Sequence, residues 1–230
     1  MKSHLGENKP IKNYIDALRL ESLTASLVPI LVTATVVGAD ILSWQFLRVL
    51  ISGFLVQLGA NLANTYYDFV QGVDNDESAN KGVGDLSLAK RKVSAQEVYF
   101  GMVGCYLLAL FNEIPTIWTK DQNNLGKALF LSGMFLSFAY TANPFSLKYK
   151  GLGNLVVFLE FGPLLMQYAA VALTGSISDK LWIYTVPIGF SIDAILHANN
   201  VRDYDTDKAA GANTLVVLLG LDFAKNYLYF

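Results

Sequence analysis

Two stretches of the sequence combine Asn and Asp at helical spacing, and the first of them surrounds Asp68. Asn64 lies four residues before Asp68, and Asp74 lies six residues after it. On a helix, four polar side chains fall within about 60° of one another: Gln57, Asn61, Asn64 and Asp68. This narrow polar stripe on an apolar helix is expected to face the interior of a bundle, where polar groups normally mark a functional cavity.

The second stretch carries three such residues at an interval of four: Asn199, Asp203 and Asp207. If the helix extends upstream, a face about 160° wide includes three further polar residues: Asp193, His197 and Asn200. Asp205 points away from this face. Aligned carboxylates repel one another unless a cation lies between them, so the pattern predicts a positively charged ligand.

The side-chain types in both stretches favour magnesium and a diphosphate. Aspartate oxygens are hard ligands, and Mg²⁺ typically takes one or two carboxylates together with waters and substrate phosphates. Neither stretch contains Cys or the paired His of a zinc site. We expect the two faces to clamp a diphosphate through Mg²⁺, with Arg202 and Lys208 adding positive charge. The competing interpretation is that these residues are helix caps and solvated loop charges, since Asn and Asp favour both.

The elements that must position these motifs are membrane helices. Only 16% of the 230 residues are charged and 53% are hydrophobic, whereas a soluble domain carries about a quarter charged residues. We predict an all-α integral membrane protein of about seven helices in a lipid bilayer. The apolar runs behind this prediction are residues 22–39, 49–67, 98–112, 128–147, 161–178, 181–201 and a last run from about residue 213.

The sequence is expected to consist of a short polar leader, residues 1–19, and one membrane domain, residues 20–230. Basic residues collect in alternate loops, which predicts a cytoplasmic N-terminus. The loops after the second, fourth and sixth helices then face one side, and both Asn/Asp motifs lie there. The sequence has no basic stripe, so nucleic acid is not an expected partner.

Both motifs resemble those of the UbiA prenyltransferase superfamily, most closely its naphthoquinone branch. The resemblance rests on residues 64–74, on residues 197–211 and on residues 213–220. Residues 140–153 also look like the family's loop after the fourth helix. The similarity extends from about Arg19 to Gly220.

The resemblance implies a helical bundle around a cavity that is open to lipid. It implies that six residues hold Mg²⁺ and form the catalytic set: Asn64, Asp68, Asp74, Asn199, Asp203 and Asp207. The residues expected to contact substrate are Tyr140, Lys148, Arg202, Lys208, Asn200 and Arg19. The family normally has nine membrane helices, so this sequence, which stops within the seventh, is expected to lack about two. It also departs from the family pattern at Leu20, Asn154 and Glu160.

The function implied is the Mg²⁺-dependent transfer of a polyprenyl group, geranylgeranyl or longer, from an isoprenoid diphosphate to a naphthoquinone-type acceptor. This reaction belongs to menaquinone or vitamin K2 biosynthesis. The alternatives are a ubiquinone-type or other aromatic prenyltransferase, a non-catalytic membrane regulator that binds isoprenoids, and a truncated inactive form. The expected location is the endoplasmic reticulum, Golgi or mitochondrial membrane of a eukaryote, or the plasma membrane of a bacterium.

Two further pairs of polar residues have open roles. Glu160 and Gln167 share a face of the fifth helix, and either contact substrate or satisfy each other. His197, the one histidine expected inside the membrane, either pairs with Asp193 four residues earlier or handles protons.

Overall fold

The computed structural model describes residues 10–75, 86–89, 92–115 and 124–227. These residues form a helical bundle, as the composition predicts, with an isolated bridge between the backbones of Lys150 and Asn213. The α-helices are α1 Pro10–Leu18, α2 Thr24–Val37, α3 Trp44–Val70, α4 Leu86–Ala89, α5 Ala95–Glu113, α6 Asn124–Ala139, α7 Gly153–Leu159, α8 Leu165–Thr174, α9 Trp182–Arg202, α10 Tyr204–Ala209, α11 Leu215–Leu219 and α12 Leu221–Tyr227.

Four segments are long and apolar enough to cross a membrane, which agrees with an integral membrane protein. They are Asn13–Val37, Trp44–Val70, Gly153–Thr174 and Asp179–Arg202. The first six predicted apolar runs each coincide with a helix, although α6 is short and ends at Ala139 before a turn that contains Pro144. The last run differs from the prediction, because Gly220 divides its described part into the short helices α11 and α12.

The ends of the two most closely paired helices are set by local hydrogen bonds. The Ser43 hydroxyl accepts a hydrogen bond from the Phe46 N–H and so caps the start of α3. Ser94 and Glu97 form a reciprocal capping box at the start of α5. Each cap satisfies backbone N–H groups that have no partner within the helix.

Helix α1 belongs to the bundle, although its residues lie within the predicted polar leader. Ala17 is fully buried, and Tyr14 and Leu18 pack against Leu62 of α3 and Met102 of α5. The chain then turns at Arg19, whose φ of 51° is unusual for a residue with a side chain. This turn places residues on both sides of Arg19 over one end of the bundle.

The fifth predicted helix consists of α7 and α8 joined by a π-helical segment, Glu160–Leu164. The Leu165 N–H donates to the Glu160 carbonyl, five residues back. Pro163 has no N–H to donate, which explains why the regular ladder is interrupted at this point. The wider turn changes the direction in which the side chains of this segment point.

The π segment and the end of α7 pack directly against α9 at two glycines. A Cβ atom added to Gly162 would lie 2.8 Å from the Thr185 carbonyl oxygen, and one added to Gly189 would lie 2.7 Å from the Phe158 ring. Such a close backbone approach leaves no room for a side chain. The two helices that carry Glu160 and the second motif are therefore held in a fixed relation.

The far end of the bundle is closed by a buried polar cluster between α3 and α5. Arg48 donates to the Asn112 carbonyl, and the Asn112 amide donates to the Arg48 carbonyl at 2.9 Å. The fully buried Ser52 donates to Glu113 Oε1 at 2.5 Å. These side chains tie the start of α3 to the end of α5, in the most extensive helix pair of the described structure.

Replacement of Gly162 by Ala is expected to destabilise the protein by about 1–3 kcal/mol, because the added methyl group must displace the backbone of α9. Gly104→Ala is the matched control, since a Cβ at this helical glycine meets nothing within 4 Å. The control should be neutral or stabilise by up to about 1 kcal/mol. Thermal unfolding in detergent or nanodiscs measures both, and equal midpoints for the two variants would contradict the close-packing interpretation.

Candidate functional site

A cavity of about 810 Å³ opens at the end of the bundle where the two Asn/Asp motifs lie. This volume lies in the range of small-molecule sites. Its mouth is polar and charged, whereas its body is lined mainly by apolar side chains, among them Val56, Met134, Phe161, Leu164 and Leu196. The cavity therefore suits a ligand with an anionic head and a hydrocarbon tail.

The polar stripe of α3 lines this cavity as its helical phase predicts. Gln57, Asn61, Asn64 and Asp68 are all lining residues. Asn61 donates from Nδ2 to the Leu18 carbonyl and to the Ser22 hydroxyl, both at 2.8 Å. These bonds fasten the turn after α1 to the cavity wall.

Asp68 is the centre of a buried hydrogen-bond network. Lys148 Nζ lies 2.9 Å from Asp68 Oδ2, with side-chain exposures of 13% and 5%. The Asn64 amide donates to the same oxygen at 3.0 Å, and the Tyr149 hydroxyl donates to Oδ1. Burial alone would lower the pKa of the Lys148 ammonium, but Asp68 and the nearby tyrosines hold it well above its usual value. Lys148 is therefore a permanent positive charge at the mouth.

The loop after α6 carries Lys148 into this position through backbone contacts. The Lys148 N–H donates to the Tyr140 carbonyl at 2.8 Å. Gln71, just beyond α3, donates from its amide to the Thr141 carbonyl at 2.9 Å. The chain after α3 also folds back, with the Asp74 N–H 3.1 Å from the Asp68 carbonyl. Asp74 is thereby buried beside the cavity and lines it.

The second motif crosses a break between two helices. Helix α9 ends at Arg202, and Asp203 has φ −93° and ψ 6° before α10 begins. The Asp203 N–H still donates to the Asn199 carbonyl at 2.9 Å, and the Asp207 N–H donates to the Asp203 carbonyl at 2.9 Å. The helical phase is therefore kept across the break, and all three residues of the motif face the cavity.

Arg202 and Asp203 form a forked ion pair at the mouth. Arg202 Nε and Nη2 lie 2.6 and 2.7 Å from the two carboxylate oxygens. Arg202 also donates to Asn199 Oδ1 at 3.3 Å. This guanidinium is 60% exposed, so it remains accessible to a ligand that enters from water.

Asp207 is a buried carboxyl group at the mouth. Burial, together with the charges of Asp203 and Asp68, raises its pKa from 3.8 to about 6, while Lys148 opposes the shift. The Thr214 hydroxyl lies 3.4 Å from its Oδ2. A carboxyl held in this state gains from a nearby cation, which would favour its charged form.

Eleven of the twelve predicted site residues line the cavity. They are Arg19, Asn64, Asp68, Asp74, Tyr140, Lys148, Asn199, Asn200, Arg202, Asp203 and Asp207. Lys208 is not among the lining residues, and its contact with substrate stays a prediction. Its ammonium group lies 5.5 Å from the centre of the Tyr204 ring and 3.4 Å from the Tyr204 hydroxyl, on the exposed side of α10.

Comparison with known families identifies the chain. The model of the UbiA prenyltransferase family matches residues 26–230. The chain belongs to the UbiA prenyltransferase family. It is 35% identical over 214 residues to UbiA prenyltransferase domain-containing protein 1 of Danio rerio, covering 90% of this chain and 61% of the relative. It is 32% identical to the Homo sapiens protein of the same name, covering 92% of this chain and 62% of that protein.

Solved structures show the same fold. A UbiA homolog from Archaeoglobus fulgidus bound to DMAPP and Mg²⁺ superimposes with a TM-score of 0.69 at 21% identity, covering 94% of this chain and 73% of that chain. The GPP and Mg²⁺ complex gives a TM-score of 0.69 at 19% identity. The chain spans about three-fifths of the length of the curated relatives it matches.

The oxygen ligands at the mouth of this UbiA family member fit Mg²⁺ when water and phosphate complete the coordination. Within the described residues, no three His, Cys, Asp or Glu side chains converge on one point in the manner of an all-protein metal cage. The carboxylates instead come from two separate walls, one around Asp68 and one around Asp203. Mg²⁺ usually keeps several waters and binds through one or two carboxylates and substrate phosphates, which matches such a divided set.

The polar face of α9 was predicted to line the cavity from Asp193 onward, but Asp193 and His197 are not among the lining residues. Asn154 donates from Nδ2 to Asp193 Oδ1 at 2.8 Å and lies 3.2 Å from His197 Nδ1. His197 Nε2 lies 2.9 Å from the Ala224 carbonyl, and the Tyr227 hydroxyl is 3.4 Å from Asp193. Asn154 therefore lies between Asp193 and His197, the pair that the sequence predicted. These two residues hold α12 in place through Ala224 and Tyr227.

Sequence reasoning missed Tyr149 and Asp16. Tyr149 follows Lys148 in the 3-10 turn Leu147–Tyr149, and both side chains contact Asp68, but the sequence carried no signal for the Tyr149 contact. Asp16 lines the mouth from α1, but its segment read as a polar leader. Of the aromatic residues near the motifs, Tyr140 lines the cavity, whereas Tyr66 and Tyr67 pack against each other and their neighbours.

The raised pKa of Asp207 predicts a pH-dependent stability in the absence of divalent cations. A carboxyl whose pKa is higher in the folded protein than in the unfolded chain binds its proton more tightly when folded. Stability should therefore fall as the pH rises from about 4 through about 6, by at most about 3 kcal/mol. Asp207→Asn, which cannot ionise, should lack this decrease. Unfolding measured from pH 4 to 7 with a chelator tests it, and parallel curves for the two proteins would contradict the assignment.

Proposed function

We propose that this protein catalyses the Mg²⁺-dependent transfer of a prenyl group from an isoprenoid diphosphate to an aromatic acceptor of the naphthoquinone type. The observation that carries the proposal is the polarity of one cavity. Two oxygen-rich walls, from α3 and from α9 with α10, meet at its mouth, and an apolar body continues from them. A diphosphate head and an isoprenoid tail have the same division of polarity.

The mouth provides positive charges for the diphosphate from three separate elements. Lys148 comes from the loop after α6, Arg202 from the end of α9 and Arg19 from the turn after α1. Arg202 presents a planar fork that matches phosphate oxygens. Charges that surround the oxygen of the breaking C–O bond stabilise the electron pair it receives, and fixed charges do so without reorganisation.

Bound Mg²⁺ would supply further neutralisation of the leaving diphosphate. Asn64, Asp68 and Asp74 would hold it on one wall, and Asn199, Asp203 and Asp207 on the other. The Asn64, Lys148 and Tyr149 contacts fix the orientation of the Asp68 carboxylate. The UbiA homolog from Archaeoglobus fulgidus, which has the same fold and binds Mg²⁺ with DMAPP or GPP, supports this part of the proposal.

The apolar body would hold the tail and keep water away from the reacting carbon. Ionisation of an allylic diphosphate produces a carbocation that water would destroy, and an apolar wall excludes that water. The cavity runs along α3 from Asp68 to Ser52, sixteen residues, or about 24 Å of helix. This length suits a long isoprenoid tail such as geranylgeranyl.

The naphthoquinone preference rests on the similarity of both motifs to that branch of the family. It places the proposed reaction in menaquinone or vitamin K2 formation, in whichever membrane holds the protein. A ubiquinone-type acceptor is the competing substrate and is distinguished by direct comparison of the two aromatic classes in one assay.

Asp68→Ala and Asp203→Ala should each reduce transfer by about 100-fold or more, because each removes a carboxylate from one wall of the mouth. The assay uses membranes with geranylgeranyl diphosphate, a naphthoquinol (the reduced, electron-rich form of a naphthoquinone) and Mg²⁺, and prenylated product is measured by mass spectrometry. Asp205→Asn is the matched control, since Asp205 lies in the same motif but is exposed and outside the cavity lining. Its activity should equal that of the wild type.

Two outcomes would reject the proposal. Product formation that needs no divalent cation, or that survives in both alanine variants, would remove the role of the two walls. Binding of the diphosphate without turnover of any aromatic acceptor would instead support the membrane regulator.

A further inference from the structure

Glu160 is a carboxyl group in the cavity that the two acidic walls do not use. It lies in the π-helical segment between α7 and α8 and lines the cavity next to Phe161 and Val157. Within the described part of the chain, its carboxylate makes no hydrogen bond or ion pair. A carboxyl group in apolar surroundings without a partner is costly, so its presence calls for a ligand.

The structure excludes the simplest structural role for Glu160. Gln167, which shares the predicted helix face, is engaged elsewhere: its Nε2 donates to the Ser178 carbonyl at 3.1 Å, and its Oε1 accepts from the Ser178 N–H at 3.0 Å. Gln167 therefore caps the end of α8, and Glu160 faces the cavity alone.

The position of Glu160 along the cavity is marked by Tyr140. Tyr140 belongs to the mouth: its carbonyl accepts from the Lys148 N–H at 2.8 Å, and a Cβ added to Gly153 at the start of α7 would lie 3.4 Å from its ring. Glu160 follows Gly153 by seven residues along the same helical segment, about two turns or 10 Å deeper in the cavity. Glu160 thus lies on the boundary between the charged mouth and the apolar body. A prenyl diphosphate bound head-first at the mouth has its reacting carbon at this boundary.

The backbone holds Glu160 rigidly at this depth. The Leu165 N–H donates to its carbonyl across the π turn. Gly162, two residues later, packs against the Thr185 carbonyl of α9 without room for a side chain. A reactive group is most effective on such a fixed element.

The chemistry of the site selects a neutral hydrogen-bond donor as the partner of Glu160. A diphosphate is anionic and would repel a carboxylate, and the prenyl tail has no polar group. The hydroxyl group of an aromatic acceptor is a donor and is also the group whose ionisation makes the ring more nucleophilic.

We propose that Glu160 is the general base of the aromatic acceptor site, an inference that rests on the proposed function. The Glu160 carboxylate accepts the proton of a ring hydroxyl while a ring carbon bonds to the allylic carbon with its electron pair. The allylic C–O bond breaks, and its electron pair leaves with the diphosphate. The alkylated ring carbon then loses its proton to the diphosphate, and Glu160 returns its proton to the ring oxygen, which restores aromaticity.

The test compares wild type with Glu160→Gln, which keeps the size of the side chain and removes its basicity. Geranylgeranyl diphosphate binding to the purified protein in nanodiscs should remain within about twofold of wild type. Transfer to 1,4-dihydroxynaphthalene should fall by about 100-fold or more, the usual contribution of general base catalysis. Glu160→Asp, which keeps a carboxyl group, should recover part of this loss.

A series of acceptors separates a base from a structural residue. Dihydroxynaphthalenes with electron-withdrawing substituents have more acidic hydroxyls, so the deficit of Glu160→Gln should shrink along the series as less help is needed. Glu113→Gln is the control, because Glu113 is buried but does not line the cavity. It should retain transfer once unfolding measurements confirm that both variants are folded.

The possible results distinguish failure of the general-base assignment from failure of the proposed function. Full transfer by Glu160→Gln, or a deficit that is the same for every acceptor, overturns the general-base assignment while leaving the proposed function intact. Failure of the wild type to bind or use any prenyl diphosphate rejects the proposed function itself.

Discussion

The ion pair between Asp68 and Lys148 is the contact on which the candidate site depends. It joins the end of the long helix α3 to the loop after α6, and these two elements are 80 residues apart in sequence. Both side chains are largely buried. Removal of one partner from such a pair leaves a buried charge uncompensated, which typically costs about 3–5 kcal/mol. The mouth of the cavity therefore forms where the end of α3 packs against the loop after α6. The contacts of Tyr149 and Asn64 with Asp68 fix this arrangement.

The pair also explains how a membrane bundle tolerates so many charges at one end. Lys148 compensates Asp68, and Arg202 compensates Asp203, so each wall carries its own cation close to its own carboxylate. Asp207 has no ion pair among the contacts described, and burial raises its pKa. A divalent cation between the walls would favour the charged forms of the carboxylates without disturbing either pair.

The sequence predicted those parts of the site that depend on helical phase within one continuous helix. The stripe from Gln57 to Asp68 is correct because α3 runs unbroken through both residues. The polar face predicted for α9, about 160° wide, is wider than the part that lines the cavity. Asp193 and His197, at one edge of this face, contact α12 instead. Lys208 lies on the exposed side of α10 over the Tyr204 ring, so its predicted role at the mouth is not supported by helical phase alone.

Features that depend on contacts distant in sequence lay beyond the reach of such patterns. Nothing in the sequence around Glu160 shows that Gln167 is engaged by Ser178, or that the turn between them is π-helical. The role of α1 was likewise hidden, because its polar residues face solvent and the mouth while Ala17 packs into the bundle. Composition and the lengths of the apolar runs were sufficient to predict the fold class and the main helices, because the thickness of the bilayer sets the length of an apolar span.

The two walls differ sharply in their contact with water. The Asp68 and Lys148 side chains are 5% and 13% exposed, whereas Arg202 is 60% exposed. Ions in solution screen an exposed pair far more than a buried one. Rising ionic strength should therefore weaken the Arg202–Asp203 pair on the α9 side of the mouth far more than the Lys148–Asp68 pair on the α3 side.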